Sequence, residues 1–473
     1  MILRRLYQEQ LAQASYLLGC AETKEAVIID PNRDVDQYLN AASQEGLHIV
    51  AVTETHIHAD FVSGAYELAS RTGAKLYLSY AGSDTWGYAY SNDALVNPLH
   101  EGDSFLVGNV RLDVLHTPGH TPEHVSFLVT DTAWANQPMG ICTGDFLFVG
   151  DVGRPDLLEK AAGVTGTMQE AARSLFRSLQ HIRSFPDYLQ IWPGHGAGSV
   201  CGRALGAVPQ STLGYEKLFN WAFSISQEDR FVNDVLEDQP KPPPYFATMK
   251  RVNRQGPSLL RSLAQPEHLS SEQLNTHLAA GETVVDLRPA ELYAAGHISG
   301  TINIPLRGPF LTWSGWLLSP DRPLFLIAEE QEIVEALHQL RLIGFDTIQG
   351  FWTPESIAAR EANGQVLARI EQIDVQRLQE LLQQNAISVV DVRRPDEYAA
   401  GFIPTSRNIP LDTLLHHIDD IPVDQPVVIH CQGGTRSAIG ASLLEARGRT
   451  NIFNLGGGFQ AWQTANATIE KRN

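Results

Sequence analysis

Four segments in the first two hundred residues carry imidazoles and carboxylates at spacings that could do metal chemistry. They are His56-Ile57-His58-Ala59-Asp60, His116-Thr117-Pro118-Gly119-His120, Thr143-Gly144-Asp145 and Pro193-Gly194-His195. Nitrogen and oxygen donors of this kind hold zinc and non-haem iron. The first segment directly follows the apolar run Ile49-Val50-Ala51-Val52, which places it on a strand-end loop. If the chain stays extended there, period-two alternation turns His56, His58 and Asp60 the same way. Phe61 comes next, and a phenyl ring cannot ligate. A lone histidine is more often a satisfied structural residue. Here each segment sits at a strand-to-loop junction with small neighbours that let ligands converge, so a metal site is expected.

A second constellation lies near the C-terminus, in Cys431-Gln432-Gly433-Gly434-Thr435-Arg436-Ser437. It follows the apolar strand Val427–His430 and precedes a helix. Gly433 and Gly434 let the backbone curl so that N–H groups point at a bound anion. The helix start lowers the thiol pKa and stabilises a persulfide on Cys431. Gln432, Thr435 and Ser437 complete this sulfur-transfer loop, and Arg436 is expected to face an anionic acceptor such as sulfite. Cysteine phosphatases place five residues between Cys and Arg. This loop has four, the shorter spacing of rhodaneses, which suits sulfur better than a phosphoryl group.

The elements that must hold these residues are legible in outline. Strands are expected at Ala26–Ile29, Ile49–Val52, Lys75–Leu78, Val110–Leu115, Val125–Val129 and Gln190–Trp192. Ser15–Leu18 and Ala26–Ile29 are expected to be the first two. Glu170–Ile182 reads as an amphipathic helix with Leu175, Leu179 and Ile182 on one side. Around Pro240-Lys241-Pro242-Pro243-Pro244 the periodicity stops, and 238–257 is expected to be a stiff extended connector. Beyond it the chain repeats itself over about a hundred residues. Val284-Val285-Asp286-Leu287-Arg288 matches Val389-Val390-Asp391-Val392-Arg393, and Asn303-Ile304-Pro305-Leu306 matches Asn408-Ile409-Pro410-Leu411. The first copy reads Ala328-Glu329-Glu330-Gln331-Glu332 where the second carries its cysteine loop, so it is expected to be inactive.

The first segment resembles the H-x-H-x-D-H signature of the metallo-β-lactamase superfamily, with Phe61 in place of the final histidine. That departure favours one metal over two. The run from Thr143-Gly144-Asp145 through Gly153-Arg154-Pro155-Asp156-Leu157 is similar to the persulfide dioxygenase branch. This resemblance implies one Fe(II) per chain, held by His56, His120 and Asp145, with His58 hydrogen-bonding beside it. Asp60 and His195 would then be second-layer residues or remnants of a second metal site. Many members of the branch keep histidine where Phe61 stands, so the phenylalanine supports one metal without proving iron. Arg154 could grip an anionic part of the substrate or pair with Asp151 or Asp156. Cys201 could be a reactive thiol or a small buried residue.

Both C-terminal copies resemble the rhodanese domain. The implied architecture is α+β followed by α/β: a metallo-β-lactamase αββα sandwich (1–257), an inactive rhodanese-like domain (258–366) and an active rhodanese domain (367–473), the latter two with parallel sheets. The implied activity is oxidation of a low-molecular-weight thiol persulfide by O₂ to sulfite, coupled to sulfur transfer giving thiosulfate, as in sulfide detoxification. A glyoxalase II-type thioester hydrolase carrying a sulfur-carrier rhodanese domain is the alternative.

Composition narrows the field. The formal net charge of -19 argues against nucleic acid as a partner. Four widely spaced cysteines without a C-x-x-C pair suit a reducing compartment, so a cytoplasmic location is expected. No run approaches the roughly 18 apolar residues of a membrane span. Gln8, Glu9, Gln10 and Gln13 interrupt any signal-like core after Arg4 and Arg5. Self-association into a homo-oligomer is expected, with the inactive copy as a plausible interface.

Overall fold

The computed structural model describes residues 1–82, 86–162, 165–203 and 205–471. It falls into two compact units. One comprises Met1–Leu263 with His338–Asp346, and the other Ala264–Leu337 with Thr347–Asn473.

The first unit holds two six-stranded sheets. One runs in sequence order through β1 (Ile2–Gln8), β2 (Gln13–Gly19), β3 (Glu25–Ile29), β4 (His48–Thr53), β5 (Lys75–Ser79) and β6 (Val96–Leu99). The other comprises β7 (Ser104–Val107), β8 (Val110–His116), β9 (Val125–Asp131), β10 (Gly140–Gly144), β11 (Gln190–Pro193) and β12 (Ser211–Thr212). Alternation along the strands builds the layers. In β2, Ala14, Tyr16 and Leu18 join a core with Leu112, Val114, Phe127 and Trp192 of the facing sheet. Leu17 turns outward to pack with Val35, Tyr38 and Ala42 of the helix Val35–Gln44. Against the other sheet's outer face lies the helix Met168–Ile182, burying Leu175, Leu179 and Ile182 beside Ile141 and Ile191. The expected αββα sandwich is what forms.

Two expectations need correction here. The first strand is Ile2–Gln8, not Ser15–Leu18, and it pairs antiparallel with β2 from Ile2 opposite Gly19 to Gln8 opposite Gln13. Its charges hid it: at the sheet edge Arg4 can reach Glu45 and Arg5 can cover the Tyr7 ring, while Leu3 packs into the core between the sheets and Leu6 against the outer helix layer. The proline-rich segment is likewise not a free connector. Pro242 and Pro243 are buried, and the helix Phe246–Gln255 follows at once. Asn253 on that helix donates to the carbonyls of His58 (2.8 Å) and Phe61 (2.7 Å) and accepts from the Ser63 N–H (2.8 Å). Residues 338–346 also belong to this unit. Val62 N–H donates to Leu342 O at 2.7 Å, and the buried Arg33 guanidinium pairs with Asp346.

The second unit contains two parallel five-stranded sheets. The first is ordered Glu267–His268, Ile348–Trp352, Leu324–Ile327, Thr283–Asp286, Ile302–Asn303, and the second Glu371–Ile373, Ile452–Leu455, Val427–His430, Ser388–Asp391, Arg407–Asn408. The same order in both sheets is the structural form of the sequence repeat. In each, an aspartate at a strand end clasps the arginine two residues on, Asp286 with Arg288 and Asp391 with Arg393. Among the described residues, no helix is long and apolar enough to cross a membrane.

Asn253 satisfies three buried backbone groups at once, each worth about 1 kcal/mol or more when orphaned. Asn253→Ala should therefore cost about 3 kcal/mol in urea unfolding of the full chain, with a matching loss of bound metal. An unchanged midpoint would show that the helix does not brace the loop.

Candidate functional site

The loops after β4, β8, β10 and β11 bring the predicted donors to one end of the sandwich. His56, His120 and Asp145, all buried, place ligand atoms within 4.8 Å of one another. His56 Nε2 and His120 Nε2 lie 3.8 and 3.7 Å from Asp145 Oδ2. The tautomers follow from the partners. Thr55 Oγ1 spends its proton on Asp30 (3.0 Å), so His56 Nδ1–H must donate to it (2.9 Å), leaving a lone pair on Nε2. His120 Nδ1–H donates to the Arg154 carbonyl at 3.1 Å, with the same result. Burial, and then neighbouring positive groups, hold both imidazoles well below the usual histidine range. His56 Nε2 and Asp145 Oδ2 have no hydrogen-bond partner. Buried donors left open in this way fit a metal ion bound between two neutral imidazoles and a carboxylate, with coordination positions to spare.

Gly144 makes the approach of Asp145 possible. Its φ is +50°, and a Cβ there would lie 2.4 Å from Thr55 Oγ1. His124, which sequence reasoning passed over, accepts from the Asp145 N–H at 3.1 Å and donates to Thr117 at 2.9 Å.

The three donors of the first segment do not share a direction. The chain turns after β4 instead of staying extended, and each side chain finds its own partner. His58 points to Asp30 (3.2 Å) and stacks on Phe61, ring centroids 4.4 Å apart. Burial pulls its pKa down, yet Asp30, with Glu54 and Asp60, outweighs that and raises it to about 9. His58 is thus the cation of a buried pair. Asp60 points to His195, whose Nε2 lies 2.8 Å from Asp60 Oδ2 and whose Nδ1 lies 2.7 Å from Asp145 Oδ1. Asp60, His195 and Cys201 form a second buried donor cluster. Burial, reinforced by the charges of Asp60 and Asp145, pushes the Cys201 thiol well up, so the reactive-thiolate reading loses support in this environment.

Arg154 takes its structural role. It is fully buried, forks onto Asp156 at 3.0 and 2.8 Å, and donates to the carbonyls of Val200 and Pro240. Four of its five N–H groups are thus engaged inside the protein. The helix Phe246–Gln255 supplies residues that no motif signalled. Tyr245, just before it, donates to the Asp60 carbonyl at 3.0 Å, and Lys250 is close enough to depress both ligand imidazoles.

In the second unit, Cys431 directly follows the buried strand Val427–His430, and the helix begins at Thr435 and runs to Ala446. Gly434, at φ +109°, caps that helix and turns its N–H onto Cys431 Sγ at 3.1 Å. Ser437 Oγ lies 3.6 Å from the same sulfur and 3.0 Å from the Gly434 carbonyl, and its single proton serves one or the other. The loop is held from beneath by Arg393, which reaches Gln432 Oε1 at 3.3 Å, and by Phe459 N–H, which donates to the Cys431 carbonyl at 2.7 Å. Arg436, expected to face an anionic acceptor, is paired with Glu397 at 2.6 and 2.7 Å, and that pairing draws the Glu397 carboxyl down to about 2. In the first repeat the helix Glu330–Leu342 starts two residues past Ala328, leaving no room for a loop.

Fold and donor clusters together define a metal-binding enzyme domain followed by two parallel-sheet α/β repeats. The metallo-beta-lactamase superfamily model matches residues 9–195, and the rhodanese-like domain model matches 270–349 and 374–465. A metallo-beta-lactamase of Staphylococcus aureus subsp. aureus COL is 44% identical, covering 75% of this chain and 99% of that one, with a TM-score of 0.67. The mitochondrial persulfide dioxygenase ETHE1 of Mus musculus is 30% identical over 202 residues, 41% of this chain and 68% of that protein. A hydroxyacylglutathione hydrolase of Rhodospirillum rubrum is 28% identical over 180 residues, 38% of this chain and 60% of that protein. The chain belongs to the metallo-beta-lactamase superfamily, in a form whose N-terminal domain has persulfide dioxygenase homologues and is followed by rhodanese-like domains.

Two outcomes follow from the ion pairs. Arg154→Leu leaves Asp156 buried with only Lys160 beside it, and should cost roughly 3 kcal/mol in denaturant unfolding. For Glu397 the folded pKa is depressed, so its stabilising contribution is complete above the ordinary value of 4.5 and is lost as pH falls toward 2. The melting-temperature gap between parent and Glu397→Gln should accordingly narrow between pH 5 and pH 3, as scanning calorimetry of the full chain would reveal; a constant gap would contradict the pairing.

Proposed function

We propose that the chain oxidises a low-molecular-weight thiol persulfide to sulfite at His56, His120 and Asp145, and transfers sulfane sulfur to sulfite at Cys431. The observation carrying this reading is that one chain combines an open two-imidazole, one-carboxylate cluster with a cysteine whose sulfur accepts a loop hydrogen bond. The persulfide dioxygenase homologues support it. His56, His120 and Asp145 would hold an Fe(II) ion, whose redox chemistry would let O₂ react with a persulfide. The net reaction balances as RSSH + O₂ + H₂O giving RSH, SO₃²⁻ and two protons.

The chain's residues do the positioning. Thr55 and the Arg154 carbonyl fix the ligand tautomers, and His195 holds one oxygen of Asp145 so that the other faces the imidazoles. Phe61, stacked on His58, leaves no imidazole at the position where a second metal would need one. In the second reaction the Cys431 thiolate attacks the outer sulfur of RSSH. The new S–S bond forms as the R-S–S bond breaks, RS⁻ leaves with the electron pair, and sulfite then takes the sulfane sulfur as thiosulfate. Gly434 N–H and Ser437 O–H stabilise the sulfur anion, with the helix Thr435–Ala446 behind it. Fusion raises the local sulfite concentration. For this scheme we divide the chain at 1–257, 258–366 and 367–473.

The cluster of Asp60, His195 and Cys201 favours a second reading, a thioester hydrolase using two metals, to which the hydroxyacylglutathione hydrolase similarity lends support. Oxygen uptake by the anaerobically Fe(II)-loaded chain given a persulfide separates the two. The dioxygenase reading expects one iron per chain, with thiosulfate from the parent and sulfite from Cys431→Ser. Two metals per chain with thioester cleavage and no oxygen uptake would overturn it. Asp145→Ala should abolish both metal retention and oxygen uptake, whereas His58→Gln should retain the metal.

A further inference from the structure

Arg436 stands close enough to Cys431 to feel its charge, but its two terminal nitrogens are engaged by Glu397. A second cation, Arg307, lines a cleft bordered by the glycines of the cysteine loop. This cleft of about 540 Å³ opens between the two repeats of the second unit. From the second repeat it is lined by Gly433, Gly434 and Thr435 of the cysteine loop, and from the first by Glu291, Arg307 and Glu332. Arg307 is 73% exposed and only loosely tied, 3.8 Å from Glu332 and 3.5 Å from Glu335. The cysteine loop is open: a Cβ built on Gly433 would meet nothing within 4 Å, and one on Gly434 only the Gly457 nitrogen at 3.9 Å.

Asn454 adds an independent observation. It lines the same cleft, is 5% exposed, and donates through Nδ2 to Gln372 Oε1 at 2.8 Å. Its Oδ1 has no partner. A buried acceptor without a donor costs about 1–3 kcal/mol unless a ligand supplies one. The cleft therefore offers one cation for a carboxylate, with two carboxylates and an amide oxygen for an ammonium. Its volume falls in the range of small-molecule sites and far exceeds what a three-oxygen anion fills. A nucleotide thiol would bring several phosphates against Glu291 and Glu332, with Arg307 alone to meet them.

We propose that this cleft binds the carrier portion of a zwitterionic, amino-acid-type thiol persulfide, with Arg307 of the first repeat gripping its carboxylate and Glu332 with Asn454 receiving its ammonium. This rests on the reading of Cys431 as the sulfur carrier and names its donor. The repeat that lost its cysteine loop becomes the specificity half of the site. Bound this way, the donor presents its outer sulfur to the glycine side of the loop. Cys431 thiolate takes that sulfur, forming Cys431-S-SH from RSSH while RS⁻ departs with the bonding pair.

The test compares two donors on the full chain, zwitterionic cysteine persulfide and neutral 2-hydroxyethyl persulfide, with sulfite as acceptor. Persulfidation of Cys431 is followed by intact mass and thiosulfate by chromatography. The ratio of kcat/KM for the zwitterionic over the neutral donor should fall about tenfold in Arg307→Ala, the effect of losing a charge-assisted hydrogen bond. Arg307→Lys should recover most of it, and Glu332→Gln should lower the ratio as well. A ratio that stays constant in Arg307→Ala while Cys431 still gains a sulfur atom overturns this inference alone. So does a rise confined to the KM for sulfite, which would make Arg307 an acceptor residue. If neither donor adds sulfur to Cys431, the sulfur-carrier reading fails and takes this inference with it.

Discussion

One imidazole carries the organisation of the metal end of the sandwich. His195 lies between two carboxylates, 2.8 Å from Asp60 and 2.7 Å from Asp145, so both of its ring nitrogens must donate. Burial alone would keep such a ring neutral. The charges of Asp145 and Asp60 overcome burial and hold it well above the usual range as an imidazolium. Two carboxylates could not otherwise lie this close in a dry interior. With Asp145 Oδ1 anchored, Oδ2 has a fixed direction toward His56 and His120. The bridge also ties the loop after β11 to the loop after β4, so the two sheets share a single polar seam.

The ligand types and their order were legible in the sequence, because metal donors are few in kind and the strand ends that precede them are strongly apolar. The directions of the side chains were not. His58 could be read as a neighbour of the metal, but that it would turn to Asp30 depends on a residue 28 positions earlier. The same limit applies to Arg436. Its spacing from Cys431 marks a sulfur-transfer loop, whereas its partner Glu397 sits 39 residues upstream and changes what the guanidinium can do. Arg154 was read with two equal roles, and only the carbonyls of Val200 and Pro240 decide between them. The bracing helix Phe246–Gln255 was hidden by the prolines before it, which mark an interrupted pattern without saying whether the chain leaves the domain or packs on it.

The two repeats separate what a fold needs from what a reaction needs. Both keep the aspartate–arginine clasp at the strand end, Asp286 with Arg288 and Asp391 with Arg393, and both keep an asparagine reaching back to that strand's carbonyls, Asn303 and Asn408. These bonds close the edge of each parallel sheet and are independent of chemistry. The loop after the central strand is under no such constraint. In one copy it curls around a sulfur atom; in the other a helix begins almost at once.

Residues 338–346 lie in the middle of the first repeat's sequence yet belong to the unit that holds the metal cluster. Leu342 accepts the N–H of Val62, the residue directly after Phe61, and Asp346 neutralises Arg33, which also donates to Ser258. The gene segment for the N-terminal portion is thus not a self-contained module. A chain cut after the proline run would keep every metal donor and lose the Leu342 carbonyl that holds the loop carrying His56 and the Asp346 carboxylate that pairs with Arg33. Recombination that swapped in a foreign repeat would have to preserve this short stretch.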